Sequence, residues 1–279
     1  MNHLLSSTSV SGLPFNKTEY SIVKLARTSD QFAREAATFF VQSWMSSALP
    51  QMMTVLNSWA TSSEEDKKDY LSYLNVALFT GGKLVDEPSD PTNKATLPIA
   101  AFTETMLRWL RQSFAPPQLL VEPPVPQPPG DGKVDLVEIT GFTGDYSSMR
   151  VTMWEAKGSD GEASYHNSKI YRQLDDYPKR FYAIANHIAS SYRGTDVALK
   201  RFLRDMARMA RNRDSQIHYG VFVTYDSNVP QVVSIAPNLH AHPEGYSKSG
   251  SSDCHHLAVL MIPDFKKMRL DVWRFLHLV

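Results

Sequence analysis

The chain has a single cysteine, Cys254, among 279 residues, which excludes an internal disulfide. No apolar run approaches the roughly 18 residues of a membrane span, so no membrane partner is expected. No signal-like apolar stretch opens the sequence, and a reducing, cytoplasmic setting is the expectation. Net charge is missing too: 29 Lys and Arg are balanced by 29 Asp and Glu. That removes any global attraction to nucleic acid, so such a partner would need a local basic patch. No internal repeat is visible. What the chain does have is 42% hydrophobic residues, enough for a sizeable core and too many for global disorder.

Along the chain, residues 1–95 read as mostly helical and residues 96–279 as mixed. Met1 to Asn16 is Ser-rich and reads as flexible or as an edge strand. From Asp30, Ala33, Ala36, Ala37, Phe40, Val41 and Trp44 recur at helical spacing. A second helix after Leu49-Pro50 carries Met52, Met53, Val55, Leu56 and Trp59. Ser62 with Glu65 forms an expected capping box for a third, which Thr80-Gly81-Gly82 stops. Asp86 to Thr96 reads as a loop. A helix from about Pro98 to Ser113 buries Phe102, Met106, Trp109 and Leu110 and carries Glu104. In the Pro-rich stretch that follows, Gln118 to Glu122 fits a short strand. A long helix is expected over Ser164 to Ser191 and another over Asp196 to Arg211. Strands are expected at His218 to Tyr225, Gln231 to Ile235 and His255 to Ile262, with a closing helix from Arg269 to Leu278. The tryptophans Trp44, Trp59, Trp109 and Trp273 are assigned to the core.

Two runs carry chemistry. Gly132 to Ile139 and Met149 to Gly158 are rich in Val, Ile, Thr, Met and Trp and are bounded by Gly, Ser and Asp, so both read as strands. Alternate side chains of a strand share a face, which groups Val151, Met153, Glu155 and Lys157. Asp135 shares its face with Val137 and Ile139. The segment 141–148 is turn-rich and suits a hairpin, and an antiparallel pairing would bring Asp135 and Glu155 together at one end of it. Two acids and a lysine on adjacent strands suit metal-dependent hydrolysis of a phosphodiester. A divalent ion offsets charge on the phosphoryl oxygens and acidifies bound water. Magnesium takes oxygen ligands, and Asp135, Glu155 and the Ala156 carbonyl would supply them. The Lys157 ammonium would hold the scissile phosphate or orient the attacking water, with its pKa lowered beside a metal. The competing reading is a same-face ion pair worth a few tenths of a kcal/mol.

The order helix with Glu104, strand at Leu119 to Val121, strand with Asp135, strand with Glu155-Ala156-Lys157, helix with Gln173, strand, resembles the PD-(D/E)XK nuclease superfamily. The resemblance covers roughly Thr96 to Tyr225. It implies an α/β fold, a restriction-endonuclease-like mixed central sheet flanked by helices, here preceded by the N-terminal helical region. It also implies a Mg2+- or Mn2+-dependent nuclease acting on DNA, with RNA as the alternative substrate. Asp135 matches the motif's first acid, and Glu155 and Lys157 match its acid and lysine. Glu104 and Gln173 stand where many members carry a helical acid and a polar helical residue. Val134 replaces the proline before Asp135. Nucleases of this kind often serve bacterial restriction or antiviral defence beside a helicase or specificity subunit, for which the N-terminal helices are the expected docking surface. The alternative is the same fold kept as a catalytically inactive binding module for nucleic acid or protein.

Two further clusters complete the reading. Lys200, Arg204, Arg208 and Arg211 recur on one helix face, with Arg201 beside them and Phe202, Met206 and Met209 opposite. Such a stripe is a candidate nucleic-acid-binding surface, or simply a solvated face. His240, His242, Cys254, His255 and His256 are potential zinc ligands, but their spacing matches no common zinc module, and a loop is the preferred reading.

Overall fold

The structure is a computed structural model. It describes residues 5–10, 16–22, 28–44, 49–79, 99–114, 118–121, 135–141, 145–159, 184–186, 188–190, 192, 194–212, 214–228 and 255–277. The element order is β1 (Leu5–Val10), β2 (Asn16–Ile22), α1 (Thr28–Trp44), α2 (Leu49–Asn57), α3 (Glu64–Phe79), α4 (Ile99–Phe114), β3 (Gln118–Val121), β4 (Leu136–Thr140), β5 (Arg150–Ser159), α5 (Val197–Arg211), β6 (Ile217–Asp226), β7 (His255–Ile262) and α6 (Phe265–Phe275). Residues 184–186 and 188–190 are also helical.

The strands form one mixed sheet in the order β1-β2-β7-β6-β5-β4-β3. β3, β4 and β5 are antiparallel neighbours. β6 runs parallel to β5, β7 parallel to β6, and β2 parallel to β7, with β1 antiparallel at the edge. The first edge strand agrees with one of the two readings of the N-terminus. β2 is an addition: Asn16-Lys17-Thr18-Glu19-Tyr20-Ser21-Ile22 is too polar to announce a strand, and the sheet edge offered by β7 recruits it. The expected strand at Gln231 to Ile235 lies outside the described residues, as does residues 164–183 of the long helix.

Period-2 alternation splits the core in two. On one face Leu136, Trp154, Ala156, Phe222, Ala258 and Leu260 join α1, α4 and α6 in a single hydrophobic cluster that also takes in Met52, Val55, Tyr70 and Leu74. The helices before residue 95 therefore share a core with the strands after it. On the other face Val137, Ile139, Val151, Met153, Tyr219, Val221, Val223, Leu257 and Val259 pack under Ile184, Ile188 and the apolar side of α5. Trp109 and Trp273 are buried as expected, while Trp59 is half-buried and stacks on His277 at 4.2 Å; the Trp44 side chain lies outside the description.

Two helix starts differ from expectation. The cap of α3 is Ser63, whose Oγ accepts from Asp66 N at 3.1 Å and donates to Asp66 Oδ2 at 2.6 Å. Ser62 instead turns back on the preceding turn, its N–H and hydroxyl both donating to Ser58 O. α6 begins at Phe265, before Arg269, since Asp264 accepts from Lys267 N and Asp226 accepts from the N–H groups of Asp264 and Phe265.

A buried polar knot fastens α4 to the sheet. Glu138 is fully buried on β4 and accepts from Arg111 Nε at 2.9 Å, Arg111 Nη2 at 2.7 Å and Trp154 Nε1 at 2.7 Å. The guanidinium lies 4.9 Å above the Trp154 ring, and that ring crosses β6 at Gly220, where a Cβ would collide with it. Glu138→Ala removes the acceptor of three charge-assisted bonds and should destabilise the chain by about 3–5 kcal/mol. A fall in the urea midpoint at unchanged slope is the expected readout.

Candidate functional site

The carboxylates meet where β4 begins. Leu136 pairs with Trp154 across the antiparallel ladder, and Asp135 N donates to Trp154 O at 2.9 Å, so Asp135 stands beside Glu155. The Asp135 carboxylate turns back onto β5, where Oδ2 accepts from Ala156 N at 2.6 Å. In a strand, the N–H and C=O of one residue point to the same edge. The Ala156 carbonyl therefore shares the edge that Asp135 occupies. Glu155 is buried, and its Oε1 accepts from Lys157 Nζ in a close ion pair. Both side chains lie on the Met153 face of β5, while Trp154 and Ala156 face α4.

Glu104 enters from α4. The first turns of this helix run close over the end of β5 because Gly158 has no side chain: a Cβ there would collide with Thr103 Oγ1, Ile99 Cγ2 and Thr224 Oγ1. Thr103 and Thr224 share a hydrogen bond of 2.8 Å across the same gap. Glu104, the next residue, is buried near enough to act electrostatically on both Asp135 and Lys157.

Asp135, Glu155 and Lys157 thus share a poorly solvated corner, on which the Glu104 charge acts from α4. Burial, then Glu155, then Glu104 push the Asp135 carboxyl well above the usual range, and neither Lys157 nor the Ala156 N–H restores it. Burial alone would depress the Lys157 ammonium. The Glu155 and Asp135 charges, the bond to Glu155 and the Glu104 charge outweigh it and lift Lys157 above its ordinary value. The lysine is held cationic by its neighbours. The corner carries an excess of negative charge with hard oxygen donors, the chemistry a divalent cation such as Mg2+ or Mn2+ requires. Among the described residues no three His, Cys, Asp or Glu side chains converge as a metal set. The fit rests on Asp135, Glu155 and the Ala156 carbonyl.

The other expected residues are dispersed. Gln173 lies outside the described residues. Lys200, Arg204 and Arg208 are exposed on α5, whose middle packs against Tyr146 at the opposite end of β5, and the Arg211 side chain is not described. Among the described side chains, no α5 cation acts on Asp135 or Lys157. Of the histidine group, His240, His242 and Cys254 lie outside the description, as does the His255 side chain. His256 stacks on His218 with ring nitrogens 2.7 Å apart. Sequence reasoning overlooked Glu138 and Arg111. The signal was an acid inside an apolar strand, Leu-Val-Glu-Ile, which burial makes costly without a cationic partner.

The chain matches no protein-family model and no curated protein at a significant level. No described helix is long and apolar enough to cross a membrane.

Asp135→Asn should raise the melting temperature in chelator at neutral pH by roughly 2–4 °C, since the amide removes a crowded charge. A raised folded-state pKa means that the carboxyl favours the fold when protonated. That contribution is lost as pH rises through the folded value. The gap between variant and parent should therefore close as pH falls toward the ordinary Asp range near about 4. A gap that does not change with pH would contradict the charge crowding. Gly158→Ala should cost about 1–3 kcal/mol by pushing α4 off β5, measured by denaturant unfolding.

Proposed function

We propose that this chain is a metal-dependent nuclease that hydrolyses phosphodiester bonds of DNA at the corner formed by Asp135, Glu155 and Lys157. The observation that carries the reading is the placement of Asp135 beside Glu155, with the Ala156 carbonyl on the same edge and Lys157 paired to Glu155. The order α4, β3, β4, β5, helix, β6, with β6 parallel to β5, supports a restriction-endonuclease-like reading of the sheet. Asp135, Glu155 and the Ala156 carbonyl would hold Mg2+ or Mn2+. Such an ion, when bound, offsets phosphoryl charge and lowers the pKa of a bound water. Lys157, kept charged by its neighbours, would move from Glu155 to the scissile phosphate or orient the attacking water. Glu104 adds negative charge to the corner and would hold a metal-bound water.

The expected result is cleavage of duplex DNA with Mg2+ or Mn2+ and none in chelator. Glu155→Gln and Lys157→Ala should each lower the rate by roughly 100-fold or more. Equal activity of parent and variants under all conditions would sink the reading.

A second reading is favoured by one observation: Asp135 and Glu155 already have protein donors, Ala156 N and Lys157 Nζ. A carboxylate satisfied in this way can be structural, which would leave the fold as a binding module. Calorimetry separates the two. Titrating Mn2+ should give saturable heat that Glu155→Gln abolishes; an absence of heat in the parent chain favours the binding module.

A further inference from the structure

α5 concentrates charge that the whole chain lacks. Its 15 residues hold Lys200, Arg201, Arg204, Arg208 and Arg211 against one acid, Asp205, in a chain of zero formal charge. Leu199, Phe202, Leu203, Met206 and Met209 are buried against the sheet face that carries Glu155 and Lys157. That packing leaves Lys200, Arg201, Arg204 and Arg208 exposed. Asp205 is committed elsewhere, to Tyr146 Oη at 3.0 Å and to Arg208 at 3.4 Å. Among the described residues no carboxylate pairs with Lys200 or Arg204. These two and Arg208 stand four residues apart, about 6 Å per step along the helix.

The location of this row matters as much as its charge. Phe202, Asp205 and Met209 all touch Tyr146, beside the start of β5. Lys157 is seven residues further along that strand from Arg150, roughly 23 Å at about 3.3 Å per residue. A partner held by α5 and reacting at Lys157 must therefore be stiff, anionic and extended. Duplex DNA meets all three conditions: it carries phosphate along its length, rises 3.4 Å per base pair and is rigid over this distance. A 23 Å span corresponds to about seven base pairs.

We propose that the exposed face of α5 is a docking surface for the backbone of duplex DNA, distinct from the carboxylate corner, and that it grips the duplex about seven base pairs from the bond to be cut. This rests on the nuclease reading for the position of the cut, while the grip itself is independent of catalysis.

The experiment uses the full chain with Glu155→Gln to prevent cleavage, and a labelled 30-base-pair duplex followed by anisotropy between 50 and 200 mM salt. Replacing Lys200, Arg204 and Arg208 together with Gln should reduce the salt slope of log affinity by about 2.7, or 0.9 for each cation lost. Circular dichroism should show the same folded signal, since all three side chains are exposed. In the active chain, duplexes with fewer than about seven base pairs on one side of the cut should be cleaved poorly, and the triple variant should lose this length dependence. An unchanged slope and an unchanged length dependence would overturn the docking surface while leaving the nuclease reading intact. A reduced slope in a chain that cleaves nothing would keep the docking surface and overturn the nuclease reading.

Discussion

The register of β4 on β5 is the constraint on which the rest of this molecule depends. With Leu136 opposite Trp154, odd-numbered residues of both strands fall on one face and even-numbered residues on the other. Asp135, Glu155 and Lys157 are thereby gathered on one side, and Glu138 reaches the Trp154 indole on the other. A slip of one residue would exchange the faces, bury the wrong set and separate both groups at once. The Arg111–Glu138–Trp154 knot penalises such a slip, because a buried carboxylate without its guanidinium is costly. The even face thus secures the geometry of the odd face without touching it.

The charge corner runs against stability. Asp135 stands beside Glu155 within the influence of Glu104, and burial together with those two charges disfavours its ionised form despite Lys157. A chain selected for stability alone would neutralise such a corner. Here close packing maintains it: the missing side chain at Gly158 and the Thr103–Thr224 bond bring α4 down onto β5, and Glu104 comes with it. Charge crowding of this kind, held by surrounding packing, is common at functional sites and also occurs in structural ion-pair networks.

The two sides of the sheet carry different burdens. One side is a broad apolar core in which α4 and α6 pack on the strands, α1 packs on both helices, and α2 and α3 follow beyond α1. The other side is covered by α5 and the helical residues 184–186 and 188–190; the carboxylate corner stands at one end of β5, and α5, with its cationic row exposed, packs beside the other. The acidic corner and the cationic helix thus lie toward opposite ends of β5. This separation is how a chain of zero net charge can still present a local cationic face.

Much of this was legible in the residues themselves. β-rich composition between turn residues located β4, β5, β6 and β7, and period-3.6 spacing located α1, α4 and α5, because both signals depend only on neighbours in the chain. The grouping of Glu155 with Lys157 followed from period-2 alternation. Non-local neighbours were not legible. β2 is polar and becomes a strand only because β7 offers an edge. Ser63 caps α3, while Ser62 bonds back to Ser58 in the turn before it. Glu138 pairs with Arg111, 27 positions away, only once α4 has docked. Gly158 and Gly220 read as ordinary glycines until a helix and an indole ring lie across them. The sequence by itself determined which residues share a strand face, since pleating is a local property. Tertiary structure decided which faces meet, and so how strongly Asp135, Glu155, Glu104 and Lys157 act on one another, since that depends on strand register and helix docking across the whole sheet.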